Sequence, residues 1–519
     1  MARIAFVGAG SIGFTRKLVA DLMGVPELRQ SELVFMDIDE QNLDRVERLV
    51  RRDLEANELP GSMLTATTNR REALAGANYV FSTVRIGGLP AFETDIEIPL
   101  RYGVDQCVGD TLSAGGIMYG QRNIPFILDL AAEIRELAAP DCLFMNYANP
   151  MAMNIWAASH YGGIPAVGLC HGVQGGHQLI ARVFGIPADE LHYVCIGINH
   201  QTWYTQLVHE GRDLTDELLE RLERSEVADQ ERVRIDMLRR FGYFSTESNG
   251  HLSEYLPWYR SRPGEAQRWI GTDAWINGET GGYLRVCREW RGYFDEEFPT
   301  WLEEPPYEYG PDKRSHEHGS RIVEALETGR LYRGHFNMVN GGAIENLPDE
   351  AIVEGPGLVD ATGIRLLHAG PLPAGPAAVC NRSIDVQRLS VEAAVHGDDA
   401  LLRQAMAMDP LVGAVCTTEE VWRLVDEMLV EQREWARDGR GEAANRRRAR
   451  GGHTERDPPR HRGSVPPAGE DAGGDGARGT APKTTGRGVR SRAPSDRGGA
   501  ARTGLRRPPY HRSRGTVLI

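Results

Sequence analysis

Cys170 and His171 stand side by side thirty residues before His200, in a chain that opens with the turn Gly8-x-Gly10-x-x-Gly13. Thiolate and imidazole are good donors to a borderline divalent cation, and a pair of them leaves coordination positions open for substrate oxygens, as a Lewis-acid catalyst requires. On spacing alone these residues also fit a buried strand-end cysteine and a hydrogen-bonded structural histidine. The glycine turn adds a second chemistry. Glycines let the backbone approach a pyrophosphate at a helix N-terminus, and an acid after the next strand receives the ribose hydroxyls. Asp37 is such an acid, and its charge favours NAD over the 2′-phosphorylated form. A tight turn beside an ordinary surface Asp is the simpler alternative.

These residues need elements to hold them. Residues 3–7 are a short apolar run of buried-strand type, residues 8–13 turn the chain, residues 14–22 follow with helical spacing, and residues 33–36 lead to Asp37. The expected cofactor contacts are therefore Gly8, Gly10, Ser11, Ile12, Gly13 and Asp37, with Thr83 at the end of a later strand. Further strands are expected at 79–84, 142–146 and 166–170, separated by helical stretches such as 124–137 and 151–159. Such alternation implies an α/β fold with a doubly wound parallel sheet of Rossmann type. Ligands bind beyond the carboxyl ends of its strands, where residues 83–88, 146–150 and Cys170-His171 all fall.

At 519 residues the chain exceeds what one core organises, so two domains and an extension are expected. Residues 1–200 are read as the NAD-binding domain, 201–435 as a substrate and oligomerisation domain, and 436–519 as a tail. The 41% hydrophobic and 25% charged residues supply ample material for a large core. No run of about 18 apolar residues occurs, and the first residues pass directly into a strand, so neither a membrane span nor a signal peptide is indicated. The cytoplasm is the expected compartment. Seven cysteines, an odd number scattered along the chain, argue for reduced thiols. Residues 437–519 carry 20 Lys/Arg against 8 Asp/Glu, whereas 1–436 carry 39 against 65. The basic tail has no Met, Phe or Trp and no apolar period, so it is expected to be disordered. A basic tail could bind nucleic acid. Its Arg/Gly/Pro/Ala mixture is also what a reading-frame shift in a GC-rich gene would produce, and a nucleic-acid partner is not expected.

Read in order, the chain carries Phe6-Val7-Gly8-Ala9-Gly10-Ser11, Phe35-Met36-Asp37-Ile38-Asp39, Gly109-Asp110-Thr111 with Gly115-Gly116-Ile117-Met118, and Asn146-Tyr147-Ala148-Asn149-Pro150-Met151-Ala152-Met153-Asn154. It continues with Val167-Gly168-Leu169-Cys170-His171-Gly172-Val173-Gln174-Gly175, Gly197-Ile198-Asn199-His200, Gly242-Tyr243-Phe244-Ser245-Thr246-Glu247-Ser248, Glu254-Tyr255-Leu256-Pro257-Trp258 and Ile344-Glu345-Asn346-Leu347-Pro348. In these motifs, from the first strand to about Trp435, the chain resembles the NAD- and metal-dependent glycosidases of glycoside hydrolase family 4, especially their α-galactosidase branch.

The resemblance implies a Rossmann domain followed by a lactate/malate-dehydrogenase-like α+β C-terminal domain, a homodimer or homotetramer, and NAD and Mn²⁺ as cofactors. It implies a mechanism outside two-carboxylate glycoside hydrolysis. Hydride leaves sugar C3 for NAD, and the ketone acidifies the C2 proton, whose removal gives an enediolate held by the metal. Elimination then breaks the glycosidic bond, water adds back, and NADH returns the hydride.

By the family pattern Cys170 and His200 are the metal ligands, Asn149 contacts substrate hydroxyls, His171 protonates the leaving oxygen, and Asp110 assists the base. The simpler alternatives are a helix N-cap for Asn149, an unpaired surface Asp for Asp110, and a substrate hydrogen bond without proton transfer for His171. The C2 base falls in segment 247–255, where His251 is expected and Tyr255 is the alternative. Many α-galactosidases carry Ser where this chain has Gly172, and the smaller residue implies space for a C6 carboxylate. The expected substrate is thus an α-galactoside, with an α-galacturonide or α-glucoside as alternatives within the family. A plain NAD-dependent hydroxy-acid dehydrogenase would share the fold but rely on an Arg and a His–Asp pair without a metal.

Overall fold

The structure, a computed structural model, describes residues 2–438 except Ile12, Pro263, Thr272 and Asp273. Ile12, an expected cofactor contact, and almost all of segment 436–519 therefore lie outside the described residues.

Strands β1 (Arg3–Val7), β2 (Glu32–Met36), β3 (Leu64–Thr67), β4 (Tyr79–Ser82), β5 (Leu143–Asn146) and β6 (Ala166–Gly168) pair in parallel in the order β3-β2-β1-β4-β5-β6. The direction of winding reverses between β1 and β4, which opens the crevice where dinucleotides bind. The expected doubly wound sheet is what forms. Along β1, Ile4 and Phe6 join one core and Ala5 and Val7 the other. Both faces are buried, so the strand reads as an unbroken apolar run. Helices Thr15–Met23 and Glu40–Ala56 cover the first face through Leu18, Leu22, Leu43 and Val46, and helix Ser113–Leu137 covers the second through Ile117, Ile124 and Ile127.

Beyond β6 the sheet continues with antiparallel pairing and supplies the expected α+β part. Strands β7 (His192–Ile198), β8 (Gln201–His209), β9 (Arg212–Asp213), β10 (Phe244–Ser245), β11 (Tyr332–Val339), β12 (Ile352–Asp360) and β13 (Gly363–Leu366) extend it along the path β6-β11-β12-β7-β8-β10, with β13 on β12 and β9 on β8. The junction is one pair, Asn337 of β11 opposite Gly168 of β6. A Cβ at Gly168 would come within 2.9 Å of the Asn337 Cβ, so the close approach depends on the missing side chain.

A buried ion pair ties distant segments together. Arg122 on helix Ser113–Leu137 donates to both carboxylate oxygens of Asp95 on helix Gly88–Arg101 at 2.9 and 2.5 Å, and Gln432 donates to the same carboxylate at 2.6 Å. Among the described residues no helix is long and apolar enough to cross a membrane, and all seven cysteines are free thiols.

Candidate active site

The glycine turn closes on Asp37. Gly10 N donates to Asp37 Oδ2 at 2.8 Å and Asp39 N to Asp37 Oδ1 at 2.9 Å. A Cβ on Gly10 would sit 2.8 Å from that Oδ2, so only glycine lets the turn close this far. Each carboxylate oxygen keeps a lone pair for a hydroxyl donor. Thr83 Oγ1 donates to Gly8 O at 2.8 Å, which draws the end of β4 onto the same turn, and Ser11 N bonds Gly8 O at 3.0 Å. Gly8, Gly10, Ser11, Gly13, Asp37 and Thr83 thus gather at the ends of β1, β2 and β4.

Two residues past Thr83, the Arg85 guanidinium lies 3.7 Å from the carboxylate of Asp110. Asp110 is buried, accepting from Asn149 Nδ2 at 2.9 Å and from Thr111 Oγ1 at 2.8 Å. This rules out an unpaired surface Asp; helix Met151–Trp156 has Pro150 at its N-cap and no side-chain cap there. Because the Thr111 hydroxyl gives its hydrogen to Asp110, it accepts from His200 Nδ1 at 3.0 Å. That relay leaves His200 Nε2 with its lone pair free, 3.9 Å from Glu247 Oε2.

His200 occupies the tip of the two-residue turn between β7 and β8 with φ +62°. A non-glycine residue there costs about 1 kcal/mol or more, a strain that persists where the side chain is needed. The His251 ring centroid lies 4.9 Å from that of His200, and the Tyr255 hydroxyl is 3.5 Å from His200 Nδ1. Ligand atoms of Asp110, His200 and His251 lie within 4.8 Å of one another, as do those of Cys170, His200 and Glu247. His171 precedes helix Gly172–Phe184 with its side chain 45% exposed and Nδ1 4.0 Å from Glu317 Oε1. The structure thus brings Cys170, His200, His251, Asp110 and Asn149 into one cluster, with His171 at its solvent side.

The electrostatics of the cluster call for a cation. Burial pushes the Cys170 thiol well above its ordinary value, and the Glu354 and Glu247 carboxylates push it further. Burial also raises Glu354 to about 8, although Asn199 donates to it at 3.2 Å. Glu247 Oε2 and Glu354 Oε1 are buried without a hydrogen-bond partner. A sulfur, an imidazole nitrogen and an orphaned carboxylate oxygen form the donor set of a borderline divalent ion, and such an ion would let the thiol ionise. Burial pulls His251 down to about 4, so its ring is neutral and able to accept a proton at pH 7.

The sequence reading does not single out Glu247, Glu254 or Glu354. Glu247 and Glu254 had a signal available, since both flank His251 and Glu247 lies one helical turn before it. The Glu254 carboxylate accepts from the N–H groups of Cys107, Val108 and Gly109 at 2.7, 2.9 and 2.9 Å, fixing the loop that carries Asp110. Glu354 is the one charge inside β12, whose other acid, Asp360, stands at the strand's end, and its partner Asn199 is far away in sequence. Gly172 also has a different meaning from the one expected. A Cβ there would collide with Glu247 Oε2, so the Glu247 carboxylate, rather than open space, stands where a side chain would be.

Comparison with known proteins places this geometry. The model described as Family 4 glycosyl hydrolase matches residues 3–186, and that of the Family 4 glycosyl hydrolase C-terminal domain matches residues 195–412. The chain is 57% identical over 435 residues to an alpha-galactosidase of Rhizobium meliloti (strain 1021), spanning 83% of this chain and 89% of that protein. It is 31% identical over 441 residues to an alpha-galactosidase of Bacillus subtilis (strain 168), spanning 84% and 99%. Its fold also superimposes on the 6-phospho-beta glucosidase of Thermotoga maritima, solved with manganese, NAD+ and glucose-6-phosphate, with a TM-score of 0.67 at 24% identity, covering 83% of this chain and 99% of that one. With both halves matched in order and the sheet, glycine turn and Cys–His cluster in place, the chain belongs to glycosyl hydrolase family 4.

Proposed function

We propose that the protein hydrolyses α-galactosidic bonds by oxidation, elimination, addition and reduction, with NAD and Mn²⁺ as cofactors. The observation that carries this reading is the continuity of the two sites: Thr83 bonds the glycine turn, and Arg85, two residues on, reaches the Asp110 carboxylate. When bound, NAD supplies a hydride acceptor and Mn²⁺ a Lewis acid. The turn 8–13 with Asp37 and Thr83 would hold the first, and Cys170 and His200, joined by Glu247, the second.

The chain's own groups then have separate tasks. Asn149, anchored on Asp110, offers its second amide hydrogen and its carbonyl oxygen to vicinal hydroxyls, fixing the sugar's rotation. His251, neutral and buried, takes the proton from C2, while Asp110 beside it favours the resulting imidazolium. Burial pushes the hydroxyl of Tyr255, the alternative base, well above its ordinary value. His171, open to solvent beside the cluster, gives its proton to the leaving oxygen and regains it from water.

Relatedness to the Rhizobium alpha-galactosidase supports a galacto-configured substrate, and the Glu247 carboxylate beside Gly172 opposes a second carboxylate on the sugar. Residues 1–200 hold the dinucleotide and bring Asp110, Asn149, Cys170 and His171 to the sugar, and 201–435 complete the substrate site and carry the subunit contacts in a cytoplasmic homodimer or homotetramer, with no membrane or nucleic-acid partner. The test is a panel of aryl α-galactoside, α-glucoside and α-galacturonide with NAD and Mn²⁺. The galactoside should be cleaved fastest, and a preference for the galacturonide, or cleavage of none, would overturn the assignment.

A further inference from the structure

Helix Ser113–Leu137 turns three buried polar side chains toward one short stretch of backbone, the loop that follows β4. Tyr119 Oη donates to Val84 O at 3.4 Å, Arg122 Nε donates to Ile86 O at 3.3 Å, and Asn123 Oδ1 accepts from Ile86 N at 3.3 Å. Of the three, Asn123 also reaches the turn after β5: its Nδ2 donates to Asn149 O at 3.0 Å. An asparagine that must accept from one neighbour and donate to the other has a single amide orientation that satisfies both. Its side chain is therefore a bridge of fixed length.

That bridge joins two segments with different tasks. With the adenosine ribose at Asp37, a dinucleotide that crosses the glycine turn beside β1 runs on toward β4, so residues 83–86 wall the crevice at its nicotinamide end. Asn149, past the end of β5, is the residue assigned to the sugar hydroxyls. The pairing of β4 with β5 ends with Tyr147 N on Ser82 O at 2.9 Å, short of both segments. Asn146 and Asn154 tie the turn 146–150 internally by donating to Ala148 O at 2.7 and 3.0 Å. The placement of that turn against residues 83–86 therefore falls to Asn123 at the backbone of Asn149, and to Arg85 and Asp110 at its side chain.

The geometry points to Asn123 as a positioning residue for hydride transfer: by holding the Asn149 backbone at a set distance from Ile86, it aligns sugar C3 with the nicotinamide without touching either. In that step the C3–H pair goes to NAD⁺ as hydride and the C3 hydroxyl proton goes to solvent, and both return at the end of the turnover. The inference rests on the NAD-dependent α-galactosidase reading and adds to it a residue outside every motif of the sequence. Misplacing reacting atoms by about 1 Å can cost about a hundredfold in rate. An apolar side chain at 123 would leave the Ile86 N–H and the Asn149 carbonyl without their partner, and the two segments would shift to satisfy them.

The experiment compares Asn123→Leu, close in size and without polar atoms, and Asn123→Ala, which leaves room for water, with the wild-type holoenzyme on an aryl α-galactoside deuterated at C3 or at C2. Each variant should lose at least about tenfold in kcat, while KM for the galactoside and the affinity for NADH stay within about threefold of wild type. Its kcat should show an isotope effect from C3 deuterium and none from C2 deuterium, because hydride transfer has become the slow step. Hydrogen exchange of the unloaded protein gives a reading apart from activity, and the Ile86 amide should exchange faster in both variants. A kcat within about threefold of wild type, or a lowered kcat without a C3 isotope effect, would overturn the assignment. So would an Ile86 amide as protected as in wild type, or loss of NADH binding in both variants, which would show that Asn123 only supports the cleft. A wild type that leaves the galactoside intact would instead defeat the α-galactosidase reading, and the same isotope test then applies to whichever aryl glycoside it cleaves.

Discussion

Asn149 donates its side-chain amide to the Asp110 carboxylate across 2.9 Å, and through Thr111 the same carboxylate orients the His200 ring. One buried acid therefore sets both the residue that faces the sugar hydroxyls and the nitrogen that faces the cation site.

Asp110→Asn breaks one of the two arms, because an amide has a single accepting oxygen where the carboxylate has two. We expect kcat to fall by about 10² or more with little change in global stability. Steady-state kinetics beside urea unfolding check this, and a variant within about threefold of wild type would remove Asp110 from the machinery.

Chelation by EDTA should abolish turnover, and added Mn²⁺ should restore it. Glu247→Gln keeps the shape of the side chain but replaces the carboxylate with an amide, and is expected to weaken Mn²⁺ binding by at least about tenfold. Titration of the metal-free protein followed by the Mn²⁺ paramagnetic signal reads this directly. Equal affinity in the variant would leave the cation to Cys170 and His200 alone.

Glu354 gives a pH signature in the metal-free protein. Burial raises it from an ordinary 4.5 to about 8, so the folded chain keeps a proton that the unfolded chain releases. Its stabilising contribution is therefore complete below pH 4.5 and is lost as pH rises through 8, at up to roughly 1.4 kcal/mol per pH unit. Glu354→Gln, which mimics the protonated acid, should gain stability relative to wild type across this window. Urea unfolding at stepped pH tests the slope, and parallel curves for the two proteins would show that Glu354 ionises normally.

Arg122→Leu leaves Asp95 buried without its guanidinium. A loss of about 3–5 kcal/mol is expected, since the remaining contact from Gln432 does not neutralise the charge. A loss below about 1 kcal/mol in denaturant unfolding would show that water reaches the site and that the pair does not tie the helices.

Five of the six parallel strands were legible because they are buried on both faces, whereas β3, with Thr65 exposed, carries no such apolar run and was not expected. Expected strands at 79–84 and 166–170 end earlier, at Ser82 and Gly168, because the chain leaves the sheet to deliver Thr83 and Cys170. The helix expected at 124–137 begins at Ser113. Gly115, Gly116, Gly120 and Pro125 read as breakers in sequence, yet the glycines are where the helix meets its neighbours: a Cβ at Gly116 would strike the Thr111 backbone, and one at Gly120 would sit 2.8 Å from Met153 Sδ. Cys170, His200, Asp110 and Asn149 were each readable within their motifs, whereas His251 falls between two motifs, in a segment where Tyr255 was the alternative. Glu354 was not readable, because an acid inside a strand gains meaning only from the Asn199 turn folded against it.

The most direct test of the central claim follows aryl α-galactoside with the purified enzyme, NAD and Mn²⁺ in D₂O, recording released phenol, NADH absorbance and deuterium in the sugar together. Phenol should accumulate over many turnovers without a matching rise in NADH, and the released galactose should carry deuterium at C2. Stoichiometric NADH, or sustained hydrolysis by protein stripped of NAD, would contradict a reaction in which the sugar is oxidised and restored within each turnover.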